Sequence, residues 1–185
     1  GVTFSLTPES ELGQGHGFPI TGRLRKLGAK PSLGVDLESG ISGDMFTVAR
    51  VAMAAQRGLD NEESRRTHGK LPDTSTIRCR EALEWITVEG ARMLKRSDRI
   101  GSLAPGKQAD LVVIDASQVN MSPVHDPVIA VVTQTSLANV EHVMIAGEWK
   151  KRDGRLVYPQ LAARQRAVYE SGHRILSELG LAGAA

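Results

Sequence analysis

A single cysteine, Cys79, occurs in 185 residues. That excludes an internal disulfide framework and points to a reducing, cytoplasmic setting. Aromatic residues make up 4% of the chain, too few for the stacking platform that single-stranded nucleic acid requires. Neither sign of charge dominates, since 23 Lys and Arg face 21 Asp and Glu for a formal net charge of +2. The two signs are interspersed, so no basic footprint for nucleic acid forms. No apolar run approaches the ~20 residues of a membrane helix, and no basic stretch followed by an apolar one opens the chain as in a secretory signal. Repeats and low-complexity linkers are also lacking. Nucleic-acid and membrane partners are thereby excluded, and a globular chain with one or two domains' worth of length is expected.

What is present reads as a βα rhythm followed by a β segment. Val2 to Leu6 alternates like a short strand and stops at Thr7-Pro8, with a glycine-rich loop around His16 expected next. Thr21 to Lys26 predicts a short helix closed by Gly28. Ser32 to Asp36 predicts a second strand ending in a carboxylate, and Asp44 an N-cap for a helix from Met45 to about Arg57. Leu59 to Thr74 is polar and predicts a long exposed loop, with Arg65, Arg66 and His68 in it. Thr76 to Lys95 predicts one long helix, capped by Ser75 or Thr76. Strands are expected at Ala109 to Ile114, Val128 to Val132 and Val140 to Ala146. Asp153-Gly154 is a hairpin turn signal. Gln160 to Leu179 predicts a final helix with a frayed Gly/Ala tail.

Strand, helix, strand, helix implies parallel pairing with helical cover. A two-stranded parallel piece cannot bury both faces, and a closed (β/α)8 barrel takes about 250 residues. The chemistry-bearing candidate is Asp36, because α/β folds place ligands at the carboxyl ends of parallel strands. The small residues after it, Ser39 among them, leave room for a ligand. An aspartate that merely caps a turn is the plain alternative. Glu9, Glu11 and His16 fall in a loop expected to face the same rim, so substrate contact is open to them. His125 and His142 read as surface or packing residues, and Trp85 and Trp149 as anchors.

Gly101-Ser-Leu-Ala-Pro-Gly-Lys-Gln-Ala-Asp-Leu-Val resembles the "G-S-L-x-P-G-K-x-A-D-L-V" signature of the amidohydrolase superfamily. Leu33-Gly-Val-Asp36 with Asp44-Met-Phe46 and Arg50 is similar to the last barrel strand and helix of its cytosine-deaminase-like and triazine-hydrolase-like branch. Thr87 with Gly90-Ala91 resembles the "A-T-x-x-G-A" helix. Asn139-Val140 through Gly147 to Asp153-Gly154 resembles the closing hairpin.

The resemblance implies an α/β fold. It implies the C-terminal part of a TIM barrel, strands seven and eight with their helices, over residues 1–100. Part of a composite β-sandwich would follow over 101–158, and a C-terminal helix and tail over 159–185. It further implies a divalent metal, zinc or iron, in the complete enzyme. The family's centre takes a His-x-His pair, further histidines and a strand-eight aspartate. Of these only Asp36 has a match, since the five histidines, at 16, 68, 125, 142 and 173, form no His-x-His pair. Asp36 is thus the implied metal ligand and proton-transfer group. Glu9, Glu11, His16 and Ser39 are the candidate contacts to a small heterocyclic substrate. The activity implied is hydrolytic deamination of a purine-, pyrimidine- or triazine-like ring. The isolated chain is expected to bind no metal tightly, to be inactive without the missing N-terminal barrel, and to form a homo-oligomer. A non-catalytic binding or structural module on the same scaffold is the alternative.

Overall fold

The computed structural model describes residues 2–181, so the tail expected to fray at 182–185 lies outside the described residues. Two strands, β1 (Ser5–Leu6) and β2 (Ser32–Leu33), pair in parallel with Leu6 opposite Leu33. Strand β1 is shorter than the one predicted over Val2 to Leu6. Thr7-Pro8 opens a helix, α1 (Pro8–Gly13), where a loop was expected. Proline at the first helical position loses no bond there, and the Thr7 backbone N–H donates to Glu11 Oε1 at 2.7 Å. Helix α2 (Thr21–Lys26) matches its predicted span.

Helix α3 (Met45–His68) starts where predicted, with the Thr47 N–H donating to Asp44 Oδ1 at 2.8 Å. It continues eleven residues beyond Arg57, through the expected exposed loop, so Arg65, Arg66 and His68 lie in its last turn. Apolar periodicity stops where the helix leaves the core, but the run is rich in helix formers. Gly69, left-handed at φ 69°, ends it. The single helix predicted over Thr76 to Lys95 is two, α4 (Cys79–Trp85) and α5 (Val88–Met93), and neither Ser75 nor Thr76 caps it. The β-branched run Ile86-Thr87-Val88 marks the break, where the Thr87 hydroxyl bonds back to the Leu83 carbonyl at 2.7 Å.

Strand β3 (Leu111–Ile114) follows. The strand expected at Val128 to Val132 is instead helix α6 (Pro127–Gln134). Asp126 accepts from the N–H groups of Val128 and Ile129, and Pro127 holds the first position, which overrides the β propensity of the valines. Strands β4 (Val140–Ile145), β5 (Glu148–Arg152) and β6 (Arg155–Leu156) complete an antiparallel sheet in the order β3-β4-β5-β6. Asp153-Gly154 turns between β5 and β6 with φ 50° and 71°, as the sequence signals. Helix α7 (Leu161–Glu178) has no buried residue among those described.

One core binds the first part together: Leu6, Leu24, Leu33, Val48, Met53, Trp85 and their neighbours. Val132 of α6 belongs to it, so packing crosses the expected division at residue 100. The antiparallel sheet is poorly covered. Val112 and Val113 point to opposite faces, yet are 51% and 42% exposed. Among the described residues, no helix is long and apolar enough to cross a membrane.

The Gly101–Leu111 signature proves to be a set of structural joints. Gly101 has φ 88° and sits where a Cβ would lie 2.5 Å from that of Ala91. Lys107 Nζ caps the Ser97 carbonyl at 2.5 Å and the Ser102 hydroxyl at 2.8 Å. Asp110 Oδ1 accepts from the Ala146 N–H at 2.6 Å, fixing the β4–β5 turn, where Ala146 and Gly147 both have positive φ.

Candidate functional site

Parallel pairing puts the exits of β1 and β2 at one end of the fold, so α1 and the loop from Val35 to Asp44 meet there. Asp36 is exposed at this rim. Its φ is 75°, and the Leu37 N–H donates to the Val35 carbonyl at 3.2 Å. That is a three-residue γ-turn in its positive-φ form, the rare and strained one. A non-glycine residue held there costs on the order of 1–3 kcal/mol, and such strain concentrates at functional sites.

Helix α1 ties this turn down at two points. The Ser10 hydroxyl donates to Asp36 Oδ2 at 2.6 Å, and Gln14 Nε2 donates to the Ser10 oxygen at 2.7 Å. Glu9 takes both donors of Ser42, the N–H at 2.9 Å and the hydroxyl at 2.6 Å. From Asp44 the network runs on through Thr47 and Arg50 to the Thr135 carbonyl, joining the rim to α6. Asp36 Oδ1 has no hydrogen-bond partner among the described residues.

The candidates from sequence therefore separate. Glu9 and Glu11 stand on a helix rather than a loop, and their carboxylates are engaged by Ser42 and Thr7. His16 and Ser39 are exposed, with no side-chain bond to described residues. Ser10, Gln14 and Ser42 were not foreseen. Pro8 at a helix start was the one signal that could have revealed α1 and the face bearing Ser10. Two concavities, of about 320 and 400 Å³, lie elsewhere: one beside Arg25 and Trp85, the other beside Phe18 and Gln56.

A catalytic divalent ion takes about three protein ligands and an open position. Asp36, exposed and with one bare oxygen, suits one of those places. Among the described residues, three prospective ligand atoms converge only at Glu141, His142 and Asp153, on β4 and in the β5–β6 turn and without Asp36. There His142 Nδ1 already accepts the Asp153 N–H at 3.1 Å. The residues beside Asp36 do not by themselves make up a metal site.

Residues 5–150 match the profile of the amidohydrolase family. The chain belongs to that family. This amidohydrolase is 34% identical over 151 residues to a 5-methylthioadenosine/S-adenosylhomocysteine deaminase of Teredinibacter turnerae, covering 79% of this chain and 31% of the relative. It is 35% identical over 164 residues to an 8-oxoguanine deaminase of Pseudomonas aeruginosa, covering 88% of this chain and 33% of the relative. Its fold superposes on a zinc-bound adenosine deaminase from Xanthomonas campestris with a TM-score of 0.84 and 29% identity, over 96% of this chain and 38% of the other. The chain thus spans about a third of the length of the curated relatives it matches. The α/β architecture of the adenosine deaminase is shared by this amidohydrolase.

Proposed function

We propose that this chain is the C-terminal part of a hydrolytic deaminase, carrying barrel strands seven and eight as β1 and β2. The strands β3 to β6 form part of its composite β-sandwich. The reaction is cleavage of a non-peptide C–N bond in a purine-, pyrimidine- or triazine-like ring. The observation that carries this reading is Asp36, an exposed carboxylate in a strained turn at the carboxyl end of a parallel pair. Barrel enzymes place catalytic groups at that end.

Asp36 accepts the proton of the attacking water and returns it to the leaving nitrogen, acting first as general base and then as general acid. A divalent metal, zinc or iron, with Asp36 among its ligands, supplies acidification of that water when bound. The remaining ligands come from polypeptide outside this chain, so the chain alone holds no ion tightly and is inactive. His16 and Ser39, exposed and without side-chain bonds to described residues, are the side chains this reading assigns to the heterocycle. Glu9 and Glu11 meet it only by giving up Ser42 and Thr7. The uncovered faces of β3 and the unburied α7 support a larger assembly, with the upstream barrel and a second copy as partners. A cytoplasmic, reducing location suits Cys79, a free thiol.

Ammonia release tests this. The complete reading frame carrying this chain, and the 185-residue chain alone, are assayed with 5-methylthioadenosine, 8-oxoguanine, cytosine and an aminotriazine. Turnover of at least one ring by the complete protein and none by the chain alone is expected. Turnover by the chain alone, or of no ring by the complete protein, contradicts the proposal.

A further inference from the structure

The strained turn at Asp36 persists because something outside it fixes the carboxylate, and the hydrogen bonds identify what does. Ser10 is 2% exposed, a buried hydroxyl on the inner side of α1. A serine hydroxyl carries one proton. The Gln14 amide donates to its oxygen at 2.7 Å, so that proton is committed to Asp36 Oδ2, 2.6 Å away. Glu9, on the neighbouring helical position, fixes the far side of the same loop through Ser42. The chain from Gln14 to Ser10 to Asp36 therefore has a fixed direction and ends on one carboxylate oxygen.

We infer that Ser10 is a positioning residue for Asp36, holding Oδ2 so that Oδ1 is the oxygen left for incoming groups. The inference rests on the reading of Asp36 given above. Side chains that orient a reacting carboxylate typically change activity or metal affinity by about 10–100-fold when removed.

The test compares Ser10→Ala, Ser10→Thr, Gln14→Leu and Asp36→Asn in the complete protein, with whichever ring it turns over fastest and with zinc alone. Ser10→Ala is expected to lower kcat by about 10–100-fold with KM within about twofold, and to weaken zinc binding by a similar factor. Ser10→Thr, which keeps the hydroxyl, restores kcat. Gln14→Leu, at an exposed position, lowers kcat in the same direction by less. Wild-type kcat and zinc affinity in Ser10→Ala, even with a lowered Tm, overturn the inference. If Ser10→Ala does not fold, Gln14→Leu decides, and an unchanged kcat there overturns it. Asp36→Asn keeps the two readings apart. Full activity in that variant removes the role of Asp36 itself, whereas a dead Asp36→Asn beside a fully active Ser10→Ala removes only that of Ser10.

Discussion

Ser10 and Asp36, 26 positions apart, meet through a 2.6 Å hydrogen bond that closes the rim of the parallel pair. The bond exists because β1 and β2 run in the same direction, so the residues that follow each strand emerge together. Helix α1 then turns its buried face toward the β2 exit. The four-residue spacing brings the exposed Gln14, at the end of the helix, within reach of the buried Ser10 hydroxyl. A carboxylate in a left-handed turn thus gains a fixed partner without any contribution from the antiparallel sheet.

Gly101 occupies the most constrained glycine position of the signature segment. With φ 88°, and a Cβ clash 2.5 Å from Ala91 and 3.3 Å from the Val88 backbone, it cannot accept a side chain without shifting α5. Gly101→Ala is expected to destabilise by about 2–4 kcal/mol. Gly106→Ala, at φ 86° but with open space around it, should cost only about 1 kcal/mol. Urea unfolding of the two variants checks the difference, and equal losses would contradict the packing account.

Asn139 is fully buried and joins three segments. Its Oδ1 accepts from Asn120 Nδ2 and from the Ser136 N–H and hydroxyl, each at 2.9 Å, while its Nδ2 donates to Asn120 Oδ1 at 3.0 Å. Asn139→Ala removes the buried amide on which the bonds from Asn120 and Ser136 converge, and a loss of about 2–4 kcal/mol is expected. Asn120→Ala, which removes only one arm, should cost less in the same denaturation experiment.

Acid should weaken the Asp115 joint. The Ser117 hydroxyl, then the Ser117 N–H and Gln118, hold the Asp115 carboxyl below its ordinary value of 3.8. The folded state therefore gives up this proton more readily than the unfolded chain does. The resulting stabilisation is present above the unfolded value and is lost as the pH falls through the lower folded value. Asp115→Asn lacks this component. Its deficit in Tm relative to the wild type should shrink between about pH 6 and about pH 3, as followed by thermal unfolding. A deficit independent of pH would contradict the assignment.

Local signals with local causes were legible. The Asp44 cap and the Asp153-Gly154 turn can be read from a few adjacent residues, and the parallel order of β1 and β2 from the strand-helix-strand succession. Readings failed where a neighbouring cap outweighed strand propensity or where the deciding interaction was remote. Val128 to Val132 carries strand propensity, yet Asp126-Pro127 starts a helix and the core claims Val132. The second half of α3 has no apolar stripe because little packs on it, so periodicity could not extend it past Arg57. Asp36 was legible as the end of a strand. Its strain, and the identity of Ser10 as its partner, depend on a contact that no short window of sequence contains.

The role of Asp36 is tested most directly by steady-state ammonia release from the complete protein bearing Asp36→Asn, with folding confirmed by Tm. A fall in kcat of about 10²–10⁴-fold is predicted for loss of the proton-transfer group. Turnover within a few-fold of the wild type would contradict the account.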